Sequence, residues 1–564
     1  MSSFRFAPAR FPHAPPGAAA FAAKAWILPI SLSAAGLAII VGSPVFGWFP
    51  VVRLAAVIVP VLAGAVIAAA PWRWNDREWE LVASWTPSRR VLGTGVAVAA
   101  ALLSWIVYSR FQAGGINAVD FTIYFDRPLY QTSLGRWYFV ESTDDARFDY
   151  LTHLAVHAYW ILLPLAALYW IHATPLWLLG LSVVAVVAGG VHVYRIVRLL
   201  GFSGVLAAGA ALAFLLNDNT ARTLNYGFHA EVLYAWFVPW AIDAGLRRAR
   251  GSYLAAVTAT VLVKEDAVFP LFALAMALAL TAGPRMRWRD RLIFFAAPVA
   301  LALVNLALFY VVAVPALSPR GDVMYSYFWS SHGPTPWDAA RGMVRDPRAL
   351  LAGAIASGFL AIVLARHSFL PLLGWRWIAG LAPLVLLYGA SDNEQVRAFG
   401  IYYAMPLVPF LVIGSAQGAR RVAGMLWRPA RAEVAAAGLV LASALAVGLG
   451  YSLRPWKPEV RHVTDALARI PDGSVVLVQS GLYPHAGYED RFRLLAPHSL
   501  RDPRHAGAVL LLAPEVSGYP FARDERDCLA ALPTLGGMPA GLVAVRLDAG
   551  AHRCAPGRGA PASR

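Results

Sequence analysis

Apolar runs of spanning or near-spanning length recur from Ala25 to about Ser452, and nothing else in the chain restricts its fold as much. They lie at 25–43, 51–70, 91–109, 151–171, 176–196, 204–217, 229–246, 252–263, 267–282, 292–314, 349–366, 369–389, 401–418 and 433–452. A backbone in lipid must satisfy its own polar groups, so repeated runs of this kind predict a bundle of membrane helices. The composition agrees. Of 564 residues 59% are hydrophobic and 14% charged, against about 25% charged in a soluble domain.

Orientation follows from arginine. The N-terminal tail (Arg5, Arg10, Lys24) and four connectors, Arg73 to Arg90, Arg247 to Arg250, Arg285 to Arg291 and Arg420 to Arg431, concentrate the basic residues. By the positive-inside rule these are cytoplasmic. The formal charge of +16 therefore records membrane orientation rather than a nucleic-acid footprint. The first apolar run lacks a small-residue cleavage site and reads as a retained helix. Residues 1–24 are then a cytoplasmic tail, 25–452 a transmembrane domain with an external loop at 110–150, and 453–564 an extracytoplasmic domain. Segment 151–171, with His153, His157 and Pro164, reads as lying along or only part-way into the membrane. That leaves about 13 crossings.

The last stretch carries more charge, Pro and Gly and no spanning run. Strand-like runs at Ser474–Gln479, Ala508–Leu512 and Leu542–Leu547, with a helical stretch near His462–Ile470, predict a small α/β domain. Cys528 and Cys554 are the two cysteines, which excludes a zinc finger or iron–sulfur ligand set. They are either a disulfide of an oxidising compartment or two free thiols.

Three polar clusters interrupt the apolar chain. Lys264-Glu265-Asp266, in VLVKEDAVF, joins two short segments. Each charge costs about 2.5–3.5 kcal/mol at a membrane centre, so the three must face water, protein or one another. The lysine stands out in a chain whose only other lysines are Lys24 and Lys457. A second cluster holds Asn217-Asp218-Asn219 and Asn225 to Glu231, in which His229 and Glu231 offer a proton acceptor, a metal ligand or a phosphate contact. The third is the 110–150 loop, with Asp120 inside an aromatic stretch, Asp126-Arg127, Arg136 and the later acids Glu141, Asp144, Asp145 and Asp149. The spacing of Phe121, Tyr124, Phe125 and Tyr130 predicts interfacial helices under the headgroups. Partial burial would suit Asp120 to general-base work.

The order of the Asp120 loop, the His153 helix, Asn225–Glu231, Val263-Lys264-Glu265-Asp266 and Tyr402-Tyr403-Ala404-Met405-Pro406 resembles a bacterial family of polytopic membrane proteins, domain of unknown function 2079. The resemblance covers roughly 105–550. The chain departs from the family pattern in Tyr402-Tyr403, where a His-Tyr pair is expected, and in two extra N-terminal helices.

That family resembles the GT-C glycosyltransferases, which implies a GT-C-like α-helical fold in a bacterial plasma membrane. It implies an enzyme using a polyprenyl-phosphate sugar donor and an envelope glycan, lipid or protein acceptor on the external face. Asp120 would then be the catalytic carboxylate, deprotonating the acceptor or helping to bind magnesium or manganese. Lys264 would stabilise the leaving phosphate, with Arg127 and Arg136 behind it. His229 and Glu231 would line the pocket with Glu265, Asp266 and His153, and with Asp120 they are the metal-ligand candidates. The rival reading is a transporter or flippase for an amphipathic lipid-linked substrate, in which the buried charges couple or bind cargo. A non-catalytic envelope scaffold is a third.

Overall fold

The computed structural model describes residues 75–136, 139, 152–282, 286–318, 328–356, 363–364, 366–397, 401–445, 458–496, 499–516, 521, 523–547 and 554. The fold is mostly helical with one small sheet. Expected spans 25–43 and 51–70, the acids Glu141, Asp144, Asp145 and Asp149, and the tail 1–24 lie outside the described residues.

Three of the described helices are long and apolar enough to cross a membrane by themselves: Arg89–Gln112, Leu176–Leu199 and Trp288–Leu317. Helices Gly204–Leu216, Tyr234–Leu246, Val408–Leu426 and Pro429–Leu445 pack with Leu176–Leu199 into the main bundle. Small residues permit close approach there, as expected where lipid supplies no hydrophobic drive between helices. Gly189, for example, lies against the Ala235 carbonyl, leaving no room for a side chain.

Other expected segments are broken. Residues 153–171 form a 3-10 turn His153–Ala155, a 3-10 helix Trp160–Ala167 containing Pro164, and one α-turn Leu168–Ile171. The stretch 250–282 is a helix Arg250–Val261, an extended Lys264, a 3-10 turn Glu265–Ala267 and a second helix Val268–Ala282. Buried helix ends need partners for their last carbonyls. Here Asn305 Nδ2 donates to Val261 O (3.2 Å) and Lys264 O (3.5 Å), and Ile161 N donates to Leu262 O (2.8 Å). The expected span 349–366 is helical at Pro347–Ala356. The expected span 369–389 is likewise divided, into Leu370–Leu373, Ala379–Leu381 and Ala382–Gly389, after positive φ angles at Ser368 and Phe369.

The loop after the first described helix departs from expectation. Rather than lying on the surface under headgroups, a π-helical turn Val119–Asp126 running into helix Arg127–Ser133 is buried, with Phe121, Ile123, Phe125 and Leu129 all enclosed. Phe125 packs against Tyr159, Phe228 and His229 and Phe121 against Gly227, while the C-terminal region meets the loop at Asp126 and Arg127. That region holds strands β1 (Val476–Val478), β2 (Phe492–Leu494), β3 (Val509–Leu512) and β4 (Val543–Arg546) in the order β2-β1-β3-β4. β1 pairs in parallel with β2 and β3, and β4 closes the edge antiparallel to β3. β2 is the strand the sequence pattern missed; it is three residues long and its middle residue is Arg493. Cys528 and Cys554 form a disulfide beside this sheet's core.

Candidate active site

The two broken segments and the buried loop converge. Helix Asp218–Tyr226 ends at Gly227, whose φ of 109° is open to glycine and whose Cα faces Ile116 and Phe121 so closely that a Cβ would lie 3.0 Å from Ile116 Cγ2. This turn delivers Tyr226 to the loop and His229 to the bundle interior. Tyr226 Oη donates to Asp120 Oδ2, and Asn117 Nδ2 donates to both Asp120 Oδ2 (3.3 Å) and Tyr226 Oη (3.1 Å).

From Tyr226 the contacts run inward. Its ring lies 5.5 Å from that of Tyr402, and the Tyr402 ring stacks on the His229 imidazole at 3.4 Å and 8°. His229 Nδ1 is hydrogen-bonded to Glu231 Oε2, while Lys264 Nζ donates to Glu231 Oε1 at 2.6 Å. Asp266 Oδ2 is 3.6 Å from the same Nζ, and Tyr234 Oη donates to Asp266 Oδ1 at 2.6 Å. Asp120, His229, Glu231, Lys264 and Asp266 thus belong to one connected group. Asp120, Tyr226, Asp266 and Tyr403, which accepts from Tyr402 Oη at 3.3 Å, are its partly exposed members, whereas His229, Glu231 and Lys264 are buried.

Burial explains the pairing. A charge withdrawn from water is tolerated when it is paired and hydrogen-bonded, and the lysine meets two carboxylates. Glu265 faces elsewhere, because the chain passes from the extended Lys264 into a 3-10 turn between the two residues. Its Oε1 lies 2.6 Å from His157 Nδ1 and its Oε2 accepts from Ala158 N at 2.9 Å. It therefore pins the irregular 153–171 segment against the break at Lys264.

Three sequence candidates lie apart from the connected group. His153 sits among aromatic rings, 5.0 Å from Tyr124 and 5.8 Å from Phe139. Arg127 is buried and gives Nη1 to Gly487 O (2.8 Å) and Nη2 to Glu489 O (3.0 Å), with Tyr483 beneath its guanidinium. Arg136 is exposed and pairs with Asp490 at 2.7 Å. Both arginines join the loop to the C-terminal region. Asp126 completes this seam, accepting from Tyr169 and Tyr488.

Two titrating groups of the seam are shifted. Burial pushes the His485 imidazole down to about 4 although its Nε2 lies 3.1 Å from the Phe111 carbonyl. Desolvation would raise the Asp490 carboxyl, but hydrogen bonds from Arg136 and Gln131 hold it below its ordinary range.

The metal candidates do not form a ligand cage. Among the described residues no three His, Cys, Asp or Glu are gathered to hold an ion. His229 and Glu231 bind each other and Lys264, and Asp120 faces Tyr226 and Asn117.

Tyr226, Tyr402 and His157 lie in elements that the sequence pattern marks without giving them a site role, and Tyr234 and Asn305 are not singled out by it at all. Asn305 had a signal: an amide inside the apolar run ALALVNLALF. Tyr234 had none, because aromatic residues are common throughout a membrane chain.

A family model described as a predicted membrane protein (DUF2079) matches residues 116–499. No curated protein matches the chain. Among solved structures, ArnT from Cupriavidus metallidurans bound to undecaprenyl phosphate is similar at 14% identity and a TM-score of 0.42, over 81% of this chain and 98% of that one.

Proposed function

The chain belongs to the family of predicted membrane proteins designated DUF2079, and from that premise we propose that it is a membrane glycosyltransferase with a GT-C-like arrangement of about 13 crossings. It moves a sugar from a polyprenyl-phosphate donor to an envelope glycan, lipid or protein acceptor on the external face of a bacterial plasma membrane. One observation carries this reading: a partly exposed carboxylate, Asp120, is joined through Tyr226 and Tyr402 to a buried Lys264–Glu231–His229 group. A carboxylate at the mouth and a fixed charged floor suit an acceptor hydroxyl above and a polar donor head beside it.

In the proposed reaction the acceptor oxygen attacks the anomeric carbon while Asp120 takes its proton. The bond from that carbon to the phosphate oxygen breaks, and the phosphate leaves with the electron pair. Tyr226 and Asn117 orient the carboxylate. Lys264 acts one step back: paired with Glu231 and Asp266, it fixes Glu231, which fixes His229 under Tyr402.

Purified protein in nanodiscs, supplied with polyprenyl-phosphate sugars, tests this directly. Asp120→Asn is expected to lower turnover by about 10²–10⁴-fold with donor binding retained. Wild-type protein that neither binds nor turns over any such donor overturns the reading. The burial of the Lys264 group favours a second one, ion-coupled translocation of a lipid-linked cargo. Vesicle transport that needs Lys264 and tolerates Asp120→Ala would select it.

A further inference from the structure

A second buried carboxylate lies at the far end of the helix that follows Glu231. Asp243, near the C-terminus of Tyr234–Leu246, is fully enclosed, and helix Leu176–Leu199 packs beside it. Arg247 spans the carboxylate, Nε donating to Oδ1 at 2.9 Å and Nη2 to Oδ2 at 3.1 Å. From the neighbouring helix come His192 Nδ1, 2.9 Å from Oδ2, and Arg195 Nε, 3.3 Å from the same oxygen. Two guanidinium groups thus share one acid and leave positive charge over. It is open in Arg195, whose side chain is 44% exposed and whose Nη1 and Nη2 take no hydrogen bond among the described residues. Arg198 gives one bond to the Phe202 carbonyl, and neither it nor the exposed Arg248 meets an acid among the described residues.

Arg195 also ends an apolar stripe. On helix Leu176–Leu199, long and apolar enough to cross a membrane, Val184, Ala188, Val191 and Arg195 recur every three or four residues and are open or partly open. Val186, Val193 and Val197 on the opposite side are buried. Tyr194 and Trp240, on the same two helices, are half-buried aromatic residues of the kind that mark the headgroup level.

We propose that Arg195, with Arg247 beside it on Asp243, binds the phosphate of an anionic phospholipid whose acyl chain lies along Val184, Ala188 and Val191. This site does not rest on the glycosyl-transfer reading. Planar guanidinium groups match phosphate oxygens, and basic pockets between membrane helices suit anionic headgroups. A free phosphate ion would use the cations and leave the stripe without a role. A zwitterionic headgroup would leave the surplus charge of Arg195, Arg198 and Arg248 uncompensated.

The test is titration of full-length protein in detergent with phosphatidylglycerol, phosphatidylcholine or inorganic phosphate, read by native mass spectrometry. Wild type is expected to prefer phosphatidylglycerol, and Arg195→Gln to lower that affinity about fivefold. Arg428→Gln removes a charge from a different basic connector, where it pairs with Asp76, and is expected to leave the affinity unchanged. Equal losses in the two variants, or an Arg195→Gln with wild-type affinity, overturn the site. So does a wild type that binds both lipids alike. Inorganic phosphate that binds as tightly as the lipid overturns the assignment to a phospholipid. Should Arg195→Gln not fold, wild type decides the matter with phosphatidylglycerol carrying a photoreactive acyl chain. Labelling is expected at 184–191, and labelling that spares this stretch overturns the proposal.

Discussion

Lys264 shows how a residue that looks intolerable in an apolar chain becomes a fixed point of the fold. Removing one partner of a buried pair leaves an uncompensated charge and costs about 3–5 kcal/mol. Lys264→Met should therefore lower the melting temperature sharply. Combining it with Glu231→Gln should recover much of the loss, a non-additivity that a double-mutant cycle in detergent would read. Equal and additive losses would mean that the 2.6 Å pair is not the element that matters. Tyr402 makes the complementary point. It stands where the family pattern expects histidine, yet its ring lies flat on His229. The position keeps a planar partner for His229 although the residue type differs. Tyr402→Leu, which removes the stack, should cost about 0.5–1.5 kcal/mol beyond its lost burial, whereas Tyr402→His should keep most of it. The Lys-Glu-Asp and His-x-Glu elements were legible in the sequence because charges in an apolar run demand explanation. Their pairing was not, because 33 residues separate Glu231 from Lys264 and no periodicity connects them.

At the scale of elements, the breaks matter more than the helices. The sequence pattern located the interruption at Lys264 and the irregularity of 151–171 from short run length and Pro164. It could not show that the two lean on each other through His157, Glu265 and Asn305. Those contacts are local geometry between segments remote in sequence, which hydropathy averages away. Asn305 is the clearest case, since it donates to two carbonyls and accepts from Trp160 Nε1 at 2.9 Å. Asn305→Leu fits the apolar helix better yet leaves buried groups unpaired, at about 1–3 kcal/mol. Hydrogen exchange should rise at 158–162 and 261–267 together; a rise confined to 297–313 would refute the shared role. The buried loop 119–133 was misread for a related reason. Its aromatic spacing fits a headgroup belt equally well, and only contacts with residues remote in sequence, such as Tyr159, Phe228 and His229, distinguish the two.

Across the whole molecule, the seam between loop and C-terminal region is the feature most open to pH. A histidine whose folded value is depressed is held neutral, so its contribution is complete above the ordinary 6.5 and is lost as pH falls towards about 4. Acidification should thus loosen the contact of His485 with Phe111, by at most about 3 kcal/mol and less for its partial exposure. Protease sensitivity around 480–490, followed from pH 7.5 to 4, should rise, and His485→Gln should flatten the profile. The disulfide between Cys528 and Cys554 closes a loop with a sequence separation of 26. Reduction should destabilise the sheet by about 3–4 kcal/mol while the membrane bundle keeps its own melting transition. The strands β1, β3 and β4 were readable from apolar runs, and β2 was not. The cysteine pairing stayed open because spacing alone fits two free thiols as well.

The grip of Arg127 on Gly487 and Glu489 spans 360 and 362 positions of the chain. At about 5–20 residues per second of synthesis, the loop carrying Asp120 waits on the order of 20–70 seconds for the carbonyls that anchor it. Throughout that interval a nascent chain already threaded into the bilayer holds an unfinished Asp120 loop. Maturation is therefore gated by the arrival of the C-terminal quarter, and a ribosome that stalls before Gly487 leaves an inserted protein with its site unset.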